Sequence, residues 1–162
     1  MRKILFASAA ALALSACANG SLMVEQPYRG DYRASTATIV ADANNTDVDE
    51  DNTEYTERKL AEAFFEGDDA VFQPGDGMTV RYRYLTFDEG SQALRYLAGP
   101  IAGGSTVVLE VDFMGPDGAM LSRVRAEGRV SGGFFGGSNK SGIDQAIDEI
   151  AEYAAETFGT GA

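Results

Sequence analysis

Val107-Val108-Leu109-Glu110-Val111-Asp112-Phe113-Met114-Gly115-Pro116-Asp117-Gly118-Ala119-Met120-Leu121-Ser122-Arg123-Val124-Arg125 is the stretch whose reading decides the fold. From Thr106 to Phe113, Val107, Leu109, Val111 and Phe113 alternate with Val108, Glu110 and Asp112. Successive side chains of a strand point to opposite faces, so the pattern predicts a half-buried strand. Gly115 to Gly118 reads as a turn, with Pro116 pre-set at its first central position. The chain then returns as a second strand from Met120 to about Val130, with Arg123 and Arg125 on the face opposite Met120, Ser122 and Val124. Setting Phe113 against Met120 sets Glu110 against Arg123, so the charged faces coincide. A slip of two residues preserves that agreement.

On the N-terminal side, residues 78–87 predict another strand, with Val80, Tyr82 and Tyr84 facing one way and Thr79, Arg81 and Arg83 the other. Residues 33–41 alternate loosely, as a first strand would. Between them, Asp51 with Glu54 three residues on fits a capping box, Leu60, Ala63 and Phe64 share a helical stripe, and Gly67 offers a left-handed stop. Residues 91–98 read as a short helical segment, followed by bends at Gly99-Pro100 and Gly103-Gly104. On the C-terminal side, Ser141 with Asp144 resembles a second capping box, and Ile143, Ile147, Ile150, Ala154 and Phe158 form a stripe that Gly159 ends. The acidic residues Asp144, Asp148, Glu149, Glu152 and Glu156 lie mostly off that stripe. This order predicts an α+β fold: a mixed, mainly antiparallel sheet of about four strands with two helices packed on one face.

At the N-terminus, Arg2 and Lys3 precede an apolar run from Ile4 to Leu14, too short for a spanning helix of about 20 residues and apt for a secretory signal. The run closes on Leu14-Ser15-Ala16-Cys17, which resembles a bacterial lipobox: a Leu, two small residues, then a Cys whose thiol takes diacylglycerol before cleavage. Cys17 is the only cysteine in the chain. The expected organisation is a lipoprotein signal peptide over 1–16, an acylated Cys17 with a tether through 32, and one α/β domain over 33–159. Each buried CH₂ of an acyl chain adds about 0.8 kcal/mol of membrane affinity, so one chain such as palmitate binds only marginally, whereas a three-chain lipoprotein anchor would hold firmly. Ala18 follows the cysteine where an Asp would resemble an inner-membrane retention signal. The expected address is therefore the periplasmic face of the outer membrane, with the inner membrane as the alternative.

Residues 1–16 carry two of the 13 basic residues and none of the 25 acidic ones, so the processed chain sets 11 basic against 25 acidic side chains, a net −14. Nucleic acid and anionic lipid are poor partners for such a surface. The chain has no histidine. That excludes Ser-His-Asp triads, Cys-His pairs and histidine metal sites, and a lone cysteine excludes an internal disulfide. No cofactor is implied.

Gly77-Met78-Thr79-Val80, Phe87-Asp88-Glu89-Gly90-Ser91, Arg95-Tyr96-Leu97-Ala98-Gly99, the Gly103-Gly104 bend, the Val107 to Gly118 hairpin and the Gly-rich stretch before the last helix carry a resemblance. Over Gly77 to Phe158 the chain resembles the bacterial lipoproteins grouped as domain of unknown function 4410. The resemblance implies an envelope lipoprotein domain without assigned catalysis, and it lends the chain no active-site residue.

Among residues with chemistry, Asp47-x-Asp49-x-Asp51 starts like a calcium loop, since alternating carboxylates converge on a hard cation. Asn52 then stands where the turn Gly belongs, and Arg58 takes position 12, with Glu57 one place early. The stretch reads better as a solvated acidic loop that doubles as a helix cap. Lys140-Ser141 suggests a phosphate loop, but Phe134 and Asn139 occupy the required glycine slots. Phe134 and Phe135, set among four glycines, are expected to fold back on the core, and otherwise to form an apolar partner surface. Arg81 and Arg83, with Arg123 and Arg125, make either a cationic patch or, as expected, a face neutralised by Glu110, Asp112 and Glu127.

The leading functional reading is a non-enzymatic envelope lipoprotein, an accessory or interaction module that docks on an envelope protein partner. A ligand- or cation-binding envelope protein is the alternative. An enzyme built on paired carboxylates comes third, and requires Asp88 or Glu89 to lie about 5–9 Å from another carboxylate.

Overall fold

The computed structural model describes residues 20–42, 48–87, 105–130 and 139–160. In chain order it contains β1 (Gly20–Gln26), β2 (Thr36–Ala41), α1 (Glu50–Phe65), β3 (Gln73–Pro74), β4 (Met78–Phe87), β5 (Ser105–Met114), β6 (Met120–Val130) and α2 (Asn139–Phe158). The strands form a six-stranded sheet in the order β1-β6-β5-β4-β2-β3. β2 runs parallel to β3 and β4, and the other pairings are antiparallel. The fold is α+β, with a mixed sheet and, among the described residues, two helices, as the alternation predicts.

The central strands alternate as their sequences demand. Val80, Tyr82 and Tyr84 lie beside Phe113, Val111 and Leu109, and these beside Ser122, Val124 and Ala126, all buried on one face. Both helices cover that face. The α2 stripe of Ile143, Ile147, Ile150, Ala154 and Phe158 is buried, and Phe158 stacks on Phe113 with ring centroids 5.1 Å apart. From α1, Thr56, Leu60 and Phe64 are buried, and the Thr56 hydroxyl shares a hydrogen bond with that of Tyr84. Burial of Tyr84 pushes its phenol up to about 12, so it stays protonated. Tyr55 donates to Asp144 Oδ1 at 2.8 Å and ties the helices to each other.

The structure corrects four expectations. The sheet has six strands rather than about four, because two short segments join its rims. One is β3; the other is β1, which occupies residues 20–26 where a tether was expected. Gly20 lies beside Gly128, Leu22 beside Ala126 and Val24 beside Val124, so β1 adds a rim strand through backbone pairing that its sparse apolar content does not advertise. The hairpin takes the register slipped by two: Phe113 faces Ser122 and Glu110 faces Arg125. The extra length goes into the turn, where Gly118, at φ 78°, donates to Gly115 O at 2.9 Å, and an irregularity between Phe113 and Met114 brings Met114 against Met120. Finally, the caps differ. Asp49, in extended conformation (φ −61°, ψ 155°), caps α1 in place of Asp51, and α2 starts at Asn139, before Ser141. The segment 91–98 and the Gly99 to Gly104 bends lie outside the described residues.

Candidate functional site

The face of the sheet turned away from the helices carries the charges that the β4, β5 and β6 sequences place there. Register sets two rows across it: Arg81, Asp112 and Arg123 in one, Arg83, Glu110 and Arg125 in the other. Glu110 is only 1% exposed although no helix covers this face among the described residues, because arginines enclose it. Arg83 pairs with its Oε1, Arg125 Nε donates to its Oε2 at 2.9 Å, and Arg123 Nε stands 3.6 Å from Oε1. Arg123 also grips Asp112 in a fork, at 2.5 Å from Nε and 2.8 Å from the second nitrogen, which pushes the guanidinium above its ordinary value. Arg125 Nη1 reaches Glu25 on β1 at 2.9 Å, and Arg129 pairs with Glu127 at 3.3 Å.

This face is thus a cross-strand ion network, the neutralised form of the patch. Arg83 is committed to Glu110. Arg81 sits beside Asp112 in the sheet and makes no ion pair among the described residues. Glu25 was not legible as a member, since residues 18–32 read as tether.

Asp49 and Asp51 do not converge. Asp49 accepts from the Asn52 backbone amide at 3.0 Å and from its side-chain amide at 2.6 Å, which together hold its carboxyl below the ordinary value. Asp51 is exposed and pairs with Lys140 at 3.2 Å, so the lysine of the phosphate-loop reading faces a carboxylate. Among the described residues no cluster of three potential metal ligands occurs. Cys17, Asp47, Asp88, Glu89, Phe134 and Phe135 lie outside them.

A groove of about 390 Å³ runs between α1 and the free rim of β2. Ile39, Ala41, Ala61 and Phe65 give it apolar walls, and Tyr82 and Glu57 meet inside it, the phenol donating to Glu57 Oε1 at 3.2 Å. Sequence offers no signal for this groove, because its walls come from four separate elements.

No protein-family model matches the chain, and no curated protein does. Its fold is similar to that of PelC from Paraburkholderia phytofirmans, solved as a dodecamer: the TM-score is 0.53 at 12% identity, over 88% of this chain and 99% of that one. A point variant of PelC, also a dodecamer and in another crystal form, gives 0.52 with the same identity and coverage. At such identity the likeness is one of fold. Among the described residues no helix is long and apolar enough to cross a membrane.

Proposed function

We propose that this chain is an exported envelope lipoprotein, acylated on Cys17 and anchored on the periplasmic face of the outer membrane, whose domain is a non-enzymatic assembly module. The observation that carries the reading is Leu14-Ser15-Ala16-Cys17 at the end of a short apolar run behind Arg2 and Lys3. The resemblance to domain of unknown function 4410 lipoproteins supports the address. Only Ala18 and Asn19 separate Cys17 from β1, a reach of about 10 Å, so the anchor holds the sheet rim close to the lipid. The likeness to a dodecameric protein supports assembly with further subunits, and committed arginines and carboxylates suit an interface better than a reaction.

Cys17→Ser tests the anchor: labelled fatty acid should vanish from the protein, which should leave the membrane fraction. A variant that keeps both lipid and membrane association sinks the reading. The groove beside β2 supports a second reading, a ligand-binding envelope protein. Calcium should leave the melting temperature unchanged, because Asp49 serves as a cap and Asp51 holds Lys140.

A further inference from the structure

Among the described residues the exposed large hydrophobic side chains are Met23 (55%), Val24 (39%), Val40 (43%) and Met120 (38%). They are not scattered. Met23 and Val24 belong to β1, and Met120 opens β6 beside the end of β1, where Gln26 Nε2 reaches its carbonyl. Val40 belongs to β2, on the other side of the sheet. Among the described residues both rims offer free backbone. β1 pairs only with β6, and the two-residue β3 covers β2 only at Thr36 and Ala37, so the outer side of residues 38–41 has no strand beside it among the described residues. Exposed rims of this kind template the addition of another strand, and natural chains usually blunt them with lysine or proline. β1 has neither, although a bulge bends its end between Val24 and Gln26.

We infer that β1 of one copy of this chain adds to the free rim of β2 in the next copy, extending the sheet from subunit to subunit. The inference rests on the assembly reading above and names its surface. Strand directions permit the join: β4 and β2 are parallel, while β5, β6 and β1 alternate, so β1 runs opposite to β2. Two copies placed side by side with the same face turned to the helices therefore meet as an antiparallel pair. Faces also match. Leu22 and Val24 share the helix side of β1, the side on which the groove opens beside β2 with Ile39, Ala41, Ala61 and Phe65. Met23 lies on the other side, as does Val40, and β1 brings Glu25 to the rim next to which Arg81 stands without an ion pair. The two surfaces differ, so the contact is head-to-tail, the type that closes into a ring or runs on as a filament. In a cyclic ring every Cys17 falls on the same side.

The test uses the full lipidated protein in detergent, with protein mass measured by light scattering. Wild type should assemble. Met23→Lys, which charges the β1 rim, and Val40→Lys, which charges the β2 rim, should each give monomers with wild-type melting temperatures. Mixed in equal amounts they should give a dimer and nothing larger, since one good rim remains on each. If either variant keeps the wild-type mass while folded, the rim contact is wrong and the assembly reading survives. A monomeric wild type overturns both. Should a lysine variant fail to fold, cysteine pairs replace it: Val40→Cys combined with Ser21→Cys, Met23→Cys or Glu25→Cys. At least one pair should give a disulfide ladder of linked copies on oxidation, and an assembled protein in which none does so overturns the contact.

Discussion

Gly128 shows how close the backbones come where α2 lies on the sheet. A Cβ built there would stand 1.7 Å from the Gly142 carbonyl oxygen, and one built on its neighbour Gly20 would stand 3.0 Å from Glu149 Cγ. Nothing but backbone occupies this contact, so a methyl has no flexible neighbour to displace. Gly128→Ala should cost about 1–3 kcal/mol, the usual range for overpacking, read as a fall in melting temperature; an unchanged value would mean that α2 sits farther from β6. Asp49 makes a pH-dependent contribution. Its carboxyl is held below the ordinary aspartate value by the Asn52 side chain and amide, so the folded chain binds its proton less readily than the unfolded one. The contribution is complete above the ordinary value and disappears as pH falls through the lowered one. Asp49→Ala should lower the melting temperature by a few degrees at neutral pH, and the gap should close in acid. A gap independent of pH would assign the loss to something other than the charged cap. Sequence located an acidic cap here but chose Asp51, because which aspartate caps depends on backbone angles that residue type alone does not set.

The last helix is the element most legible from its residues. Its stripe, read at helical spacing, is buried at every position, with Ile147 only 2% exposed and Asp148 on the surface. Ile147→Asp should unfold the domain, since an unpaired carboxylate there costs several kcal/mol against a total stability of about 5–15 kcal/mol. Asp148→Ala should be nearly silent. Burial and the nearby Asp144 raise the Asp148 carboxyl above its ordinary value, so its charged form opposes folding. Any gain in the alanine variant therefore appears at neutral pH and fades as pH falls through the carboxylate range. Equal melting temperatures for the two variants would mean that the helix is not packed as described. Strands β4, β5 and β6 were equally legible, because alternation shows directly in the residues. Their register was not: charge matching is indifferent to a slip of two, and the turn and the Phe113/Met114 irregularity decide between the options.

On the scale of the whole molecule, β1 tests whether the chain before residue 33 is tether or fold. Removing residues 20–26 strips Leu22 from the core it packs against, Glu25 from Arg125 and the sheet partner from β6. A chain that passes from Cys17 to residue 27 through a flexible linker should melt well below wild type and be cleaved faster within β6; an unchanged melting temperature would restore the tether reading. What the sequence determined by itself was whatever depends on neighbours along the chain: the hairpin, the α2 stripe, the split between apolar and charged faces, and the chemistry excluded by an absence of histidine. Tertiary structure alone decided whatever depends on residues far apart meeting. The pairing of β1 with β6 joins positions about a hundred residues distant, and the groove beside β2 draws on four elements. The burial of Glu110, on the face turned away from α1 and α2, arises because Arg83, Arg123 and Arg125 arrive from two other strands and close over it. Local pattern reports which way a side chain points; which partner stands there is settled only when the whole sheet is assembled.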